Sequence, residues 1–334
     1  MAEGERPGEF ELIARYFRPL ASDPGAFDLT DDVALVEARP GEELVLKVDT
    51  LAEGVHFFPE DPPEGVAAKA LRVNLSDLAG KGAEPRGYLL ALSLRADWTE
   101  AWVAGFVRGL ASDQKTYGLS LLGGDTTRAA GGTTVSVTAV GGVPKGRLVR
   151  RAGARPGDVV FVSGTIGDAA LGLRVRRSEF DQRVPGAEHL LRRYVLPEPR
   201  VALAPVLRQH ASAALDVSDG LLGDFAHICR ESGVTGTVEV ALVPLSPPAQ
   251  RLVESQPDAL RSVLTGGDDY EILATVPEAS AHAFERDAAR AGVRVSRIGR
   301  VTAGSGPPIA VDKSGNPLRF PWLSYDHFQT GREK

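Results

Sequence analysis

Residues 67–78 read Ala67-Ala68-Lys69-Ala70-Leu71-Arg72-Val73-Asn74-Leu75-Ser76-Asp77-Leu78, and residues 88–94 read Tyr88-Leu89-Leu90-Ala91-Leu92-Ser93-Leu94. The first stretch returns apolar residues at helical intervals. The second is an apolar run of strand length. Working outward, the same alternation continues. Residues 9–20 have helical spacing and stop at Pro19, and Thr99–Tyr117 reads as a long amphipathic helix. Strands are expected at Val33–Glu37, Leu44–Val48, Ser120–Leu122 and Thr133–Val140. The turn-rich Gly141-Gly142-Val143-Pro144-Lys145-Gly146 marks a boundary. Beyond it, Asp158–Ser163 reads as a strand, followed by a helix from Ala169, and the alternation runs to about residue 310. This pattern predicts an α/β to α+β protein with domains at 1–146 and 147–334.

Aspartates recur beside these runs, often next to glycine or a hydroxyl residue. The instances are Thr30-Asp31-Asp32, Val48-Asp49-Thr50, Ser76-Asp77, Gly123-Gly124-Asp125-Thr126, Asp216-Val217-Ser218-Asp219-Gly220 and Gly266-Gly267-Asp268-Asp269-Tyr270. Read as strand ends, they point carboxylates into a shared cleft, and a flanking glycine lets a phosphate approach the backbone. Acids gathered that closely stay ionised only with cations between them. The pattern therefore points to several magnesium ions and a polyphosphate substrate. Aspartate is also the residue of helix caps and turns, a reading that fits Asp168 and Asp224 better. Thr126, Thr127 and Arg128 are candidate phosphate donors, and Arg150 with Arg151 a candidate guanidinium clamp. Ser76-Asp77 before Gly123-Gly124-Asp125 is echoed by Ser218-Asp219 before Gly266-Gly267-Asp268 at near-equal spacing, as two related units would give.

Bulk properties narrow the class. A net charge of -6 argues against a nucleic-acid partner. No apolar run of spanning length or signal-peptide pattern occurs, so the expected setting is cytoplasmic and free of membrane. The single cysteine, Cys229, rules out an internal disulfide and reads as a buried structural thiol on a helix. Asn74 and Asn316 are the only asparagines, a bias that heat adaptation and GC-rich coding explain equally. The chain has no P-loop, no protein-kinase loops, no dinucleotide fingerprint and no serine elbow. Zinc chemistry does not suit one cysteine and six scattered histidines.

The motifs also run in a recognisable order. They are Gly8-Glu9-Phe10, Asp49-Thr50-Leu51, Gly54-Val55-His56-Phe57, Lys69 to Ala79, Gly123-Gly124-Asp125-Thr126-Thr127, Gly153-Ala154-Arg155-Pro156-Gly157-Asp158, Asp216-Val217-Ser218-Asp219-Gly220-Leu221, Gly267-Asp268-Asp269-Tyr270-Glu271 and Tyr325-Asp326-His327-Phe328. Together they resemble the thiamine-monophosphate kinase family across nearly the whole chain. The resemblance implies the fold of the aminoimidazole-ribonucleotide synthetase and selenophosphate synthetase superfamily: a dimerising N-terminal α/β domain, a C-terminal α+β domain, and ATP in the cleft. It implies transfer of phosphate from ATP to thiamine phosphate, in a homodimer. By motif, Asp32, Asp49, Asp77, Asp125, Asp216 and Asp219 would be magnesium ligands. Gly124, Asp125, Arg151 and Ser218 would contact ATP, and His56, Asp268 and Tyr325 the thiamine phosphate.

Three residues depart from the family pattern. Thr30 stands where glycine usually precedes the acid pair. Lys47 and Val48 replace small hydroxyl residues before Asp49, so the Lys47 ammonium is expected to replace one cation. Asp268 replaces a glutamate. Other readings are a different ATP-using superfamily member, or a nucleotide or thiamine-phosphate sensor without catalysis. Selenophosphate synthetases and the hydrogenase-maturation relative usually carry a cysteine near one end, which this sequence lacks, and purine-synthesis relatives lack the Tyr325-Asp326-His327-Phe328 tail.

Overall fold

The computed structural model describes residues 6–325. The chain forms two compact units, Met1–Leu78 with Glu84–Gly146, and Ala79–Ala83 with Arg147–Lys334. The first unit begins with helical turns from α1 (Glu9–Leu12), whose pitch changes through residues 13–20. It then runs β1 (Glu42–Ala52), α2 (Pro63–Gly80), β2 (Glu84–Leu94), α3 (Glu100–Tyr117), β3 (Ser120–Arg128) and β4 (Thr134–Pro144). The four strands form one sheet in the order β1-β4-β2-β3, antiparallel except for the β2–β3 pair.

Local chemistry sets these boundaries. Thr99 caps α3 by accepting the Trp102 N–H, and Gly118 closes it in the left-handed conformation. A side chain at Gly109 would lie 2.5 Å from the Glu64 carbonyl oxygen, so this glycine lets α3 approach α2 closely. Arg72 of α2 clamps buried Asp113 of α3 with two hydrogen bonds, at 2.7 and 2.8 Å. Tyr88, Phe106, Leu71, Leu75, Leu92 and Leu110 are fully buried, each contributing roughly 1.5–3 kcal/mol.

The second unit contains β5 (Val159–Ser163), α4 (Asp168–Arg176), α5 (Ala187–Val195), α6 (Ala204–His210), β6 (Ala213–Asp216), α7 (Leu221–Ser232), β7 (Thr235–Glu239), α8 (Pro247–Ser255), α9 (Asp258–Thr265), β8 (Ile272–Val276), α10 (Glu278–Arg290), β9 (Val295–Thr302), β10 (Ile309–Val311) and β11 (Pro317–Leu318). Its mixed sheet runs β11-β10-β7-β9-β5-β8-β6. β5 sends Val160 and Val162 into one apolar cluster, and Val159 and Phe161 into another. Both faces of this strand are covered, which is why its sequence is an unbroken apolar run.

The structure corrects several expectations. Val33–Glu37 is not a strand: Val33 and Leu35 are each 63% exposed, no strand pairs with the run among the described residues, and the Leu35 N–H goes to the Gly25 carbonyl in the preceding turn instead. β3 continues through Gly123-Gly124-Asp125 instead of ending before them, and Asp49 likewise lies inside β1. Asp77 lies on α2, not at a strand end. Of the acids read that way, Asp216 is the one that closes a strand, β6. The echo between the halves is also lost, because Asp77 is helical while Asp219 lies in a turn, and Gly124 is in a strand while Gly267 is not.

Candidate active site

In the first unit, β1 alternates. Leu44, Leu46, Val48 and Thr50 occupy one face and are exposed. Lys47 and Asp49 occupy the other, the face that holds buried Val137 and Leu90 in register with Asp49. Asp77 reaches this second face from α2. The Lys47 ammonium lies 3.0 Å from Asp49 Oδ1 and 3.0 Å from Asp77 Oδ2, bridging them. Burial lowers the Lys47 pKa, but the two carboxylates outweigh it and hold the group above the usual lysine value. Burial acts most strongly on Asp49; Lys47 opposes it and the like charge of Asp77 adds to it, leaving the carboxyl pushed up to about 6.

Asp125 belongs to the other face. It is in register with Ala91, Ser136 and Thr50, and is exposed. There it lines a hollow of about 900 Å³ with Gly124, Asp31, Asp32, Ser136 and Thr138. The structure thus groups Asp32 with Asp125, and Asp49 with Asp77, on opposite sides of one sheet. Gly124 has φ 159, and a side chain there would lie 1.9 Å from the Leu90 carbonyl oxygen, so glycine is required and the backbone stays open. The turn leading to Asp31-Asp32 is left-handed at Phe27, Asp28 and Leu29, an unusual and strained run for residues with side chains. Of the candidate donors after Asp125, Thr127 already shares a hydrogen bond with Ser93 at 2.7 Å.

His56 follows the Ala52–Val55 turn. Its Nδ1 accepts the Ala52 N–H at 3.0 Å, and its carbonyl accepts from buried Lys69 at 3.0 Å. The half-buried ring is fixed as a hydrogen-bond acceptor at Nδ1.

In the second unit two loops interlock. Asp268 N–H donates to the Ser218 carbonyl at 2.9 Å, Tyr270 N–H to Val217 at 2.8 Å, and Val217 N–H to Glu271 at 2.7 Å. A side chain at Gly267 would meet the Ser218 carbonyl oxygen at 2.3 Å. Asp268 and Tyr270 are held at φ 71 and 52, and the Tyr270 hydroxyl reaches Asp268 at 3.4 Å. Buried Asp216 and half-buried Ser218 and Asp219 sit on the facing loop, and Tyr325 N–H donates to the Asp219 carbonyl at 2.9 Å. Ser218, Asp219, Asp268 and Tyr325 are therefore gathered together. Arg151 is exposed, and near enough for its charge to act on Asp224. Trp322 lies beneath the Arg261 guanidinium at 5.5 Å. Phe328, Asp326 and His327 lie outside the described residues.

Sequence reasoning missed what holds these loops. Asp224 Oδ2 accepts the N–H groups of Ser218, Asp219 and Gly220 at 3.0–3.1 Å, bracing the turn before its own helix instead of capping a helix from outside. Burial, then the charge of Asp219, pushes this carboxyl up to about 7. Asp168 is not a cap either; it takes hydroxyl groups from Thr165 and Ser246. α4 is instead capped by Asp269, which accepts Gly167 N–H at 2.7 Å and Ala169 N–H at 3.3 Å. Glu271 is fully buried and receives Arg193 at 2.9 Å, Arg200 through two nitrogens and Ser163 at 2.5 Å. The Gly-Asp-Asp-Tyr-Glu motif was the available signal, but spacing alone does not tell a ligand acid from a structural one.

The oxygen donors present are those a hard cation takes. Among the described residues, however, no three His, Cys, Asp or Glu side chains converge closely enough to hold a metal. At the Asp49–Asp77 pair an ammonium stands between the carboxylates.

Residues 30–143 match the AIR synthase related protein N-terminal domain family, and residues 155–312 its C-terminal domain family. Thiamine-monophosphate kinase of Caulobacter vibrioides is 47% identical over 95% of this chain and 91% of its own length. The crystal structure of thiamine-monophosphate kinase from Stenotrophomonas maltophilia superposes with a TM-score of 0.79 at 39% identity, covering 87% of this chain and 91% of that one. AaThiL complexed with AMPPCP and TMP superposes with a TM-score of 0.76 at 31% identity, covering 97% of this chain and all of that one. With the AIR synthase fold, its motifs in order and relatives matched along nearly their full length, the chain belongs to the thiamine-monophosphate kinase family.

Proposed function

We propose that this chain transfers the γ-phosphoryl group of ATP to the phosphate of thiamine phosphate, giving thiamine diphosphate and ADP. The observation that carries the reading is the Asp32–Gly124–Asp125 rim, where open glycine backbone and carboxylates border one hollow. Such a rim accepts a triphosphate when cations lie between the like charges. Family membership and the relative complexed with AMPPCP and TMP support the same choice of substrates.

Asp32, Asp49, Asp77, Asp125, Asp216 and Asp219 are the oxygen donors we assign to magnesium. When bound, magnesium offsets the repulsion between two polyanions and favours in-line transfer. Gly124, Asp125, Arg151 and Ser218 are assigned to ATP, and His56, Asp268 and Tyr325 to thiamine phosphate. The accepting phosphate oxygen is already anionic at neutral pH, so no side chain is assigned as acid or base. Residues 1–146 would supply ATP and metal ligands and the dimer face, and residues 147–334 the remaining ligands. Exposed Leu46, Val48 and Leu89 on the open sheet face support a homodimer. Single, buried Cys229 supports a cytoplasmic setting.

Product analysis with ATP, magnesium and either thiamine phosphate or thiamine tests the reading. Thiamine diphosphate formed from thiamine phosphate alone is the expected result. ATP binding without turnover of either would favour a sensor.

A further inference from the structure

We propose that Lys47 is a built-in cation that holds Asp49 and Asp77 in the place of one divalent ion; the inference rests on the kinase reading above. Lys47 and Asp49 are two residues apart on β1, so both side chains leave the same face of the strand. α2 brings Asp77 to that face, and the ammonium meets one oxygen of each carboxylate at 3.0 Å. The three side chains keep only 31%, 34% and 17% of their surface exposed, so water screens them poorly. An ammonium has three donors and no acceptor, so it can donate to one oxygen of each carboxylate at once.

The substitution has a consequence for charge. With a neutral residue at position 47, the Asp49–Asp77 pair would carry two negative charges and attract a divalent ion. With Lys47 the cluster carries one, and the point where a shared metal would sit is filled by nitrogen. A metal bound directly between these oxygens would have to displace the side chain against two ion pairs. Val48 offers no side-chain ligand there, since its apolar side chain leaves the opposite face. The chain therefore takes one divalent ion fewer than the same acids would with serine at position 47.

The test counts Mn2+ bound per chain by electron paramagnetic resonance, in the presence of AMPPCP, for the unaltered protein and for Lys47→Ser. The expected result is one additional Mn2+ in Lys47→Ser. Equal, non-zero counts would overturn the Lys47 proposal and leave the kinase reading standing. Absence of Mn2+ from both would overturn the kinase reading and this one with it. Should Lys47→Ser not fold, the unaltered protein still decides. Amine-reactive labelling of Lys47, read by mass spectrometry, should stay slow when Mn2+ and AMPPCP are added. A severalfold rise in labelling would mean that metal expels the ammonium, and the proposal would fall.

Discussion

Asp49 and Asp77 in the first unit keep 34% and 17% of their side-chain surface open, whereas Asp224, Asp269 and Glu271 in the second unit keep at most 2%. The first pair sits on regular elements and shares one flexible side chain, that of Lys47. The second group is satisfied by backbone N–H groups and guanidinium forks, partners that cannot leave without unmaking a loop or a helix end. Acids of the first kind keep part of their surface open, while acids of the second kind are part of the scaffold. Sequence treats the two alike, because both occur as single acids set beside apolar runs.

The sharpest way to break this contrast is to remove one acid from each side. Glu271→Ala removes the buried carboxylate to which Arg193, 3% exposed, Arg200 and the Ser163 hydroxyl all donate. Loss of one member of a buried pair costs about 3–5 kcal/mol. Urea unfolding should show that loss, or no folded protein at all. A Glu271→Ala protein as stable as the parent would remove the scaffold role. Asp77→Asn and Asp125→Asn should do the reverse: melting curves close to the parent, and kcat lower by about 10²-fold or more, the scale for losing a preorganised electrostatic group. Near-normal turnover with unchanged magnesium dependence would place neither at the chemistry.

A smaller effect is expected at Asp269. Asp269→Ala strips the acceptor from Gly167 N–H and Ala169 N–H at the start of α4. Losing such a cap costs about 1–2 kcal/mol. Asp269→Asn retains an acceptor and should recover part of the loss in the same unfolding measurement. If both variants unfold like the parent, the distant cap is not what holds α4.

How far the sequence carried the argument differs between the units for the same reason. α2 and α3 were legible because helical periodicity repeats over many residues and the apolar face is long. β5 was legible as an unbroken apolar run. Val33–Glu37 misled, because a short alternating run says nothing about whether a neighbouring strand exists. Asp125 was found as a residue but misplaced at a strand end, since Gly123-Gly124 reads as punctuation while the β3 ladder continues through it. The Lys47 departure was visible, but its bridge to Asp77 joins a strand to a helix and only the fold brings them together. Asp269 and Asp268 adjoin in sequence, yet one caps a helix about a hundred residues away in the chain and the other accepts from the Tyr270 hydroxyl. Nothing local distinguishes them.

Cys229 offers the mildest test, of burial with no ionic or N–H partner. It lies on α7, the helix that carries Asp224, and is fully buried. Asp224 is braced by three N–H groups against the cost of burial, while burial alone acts on the thiol and pushes it up to about 11. Alkylation of an ordinary thiol accelerates about tenfold or more between pH 7 and 9, as thiolate forms. The native protein should show neither appreciable labelling nor that acceleration, and should label rapidly once unfolded in urea. The sign for stability follows from the same shift. Between the ordinary thiol value and about 11 the unfolded chain loses its proton first, so the folded state binds more protons and stability falls as pH rises. One proton limits the slope to about 1.4 kcal/mol per pH unit. Rapid native labelling at pH 8 would show that α7 opens readily, and the brace Asp224 gives to the Ser218–Gly220 turn would then be weaker than its three hydrogen bonds indicate.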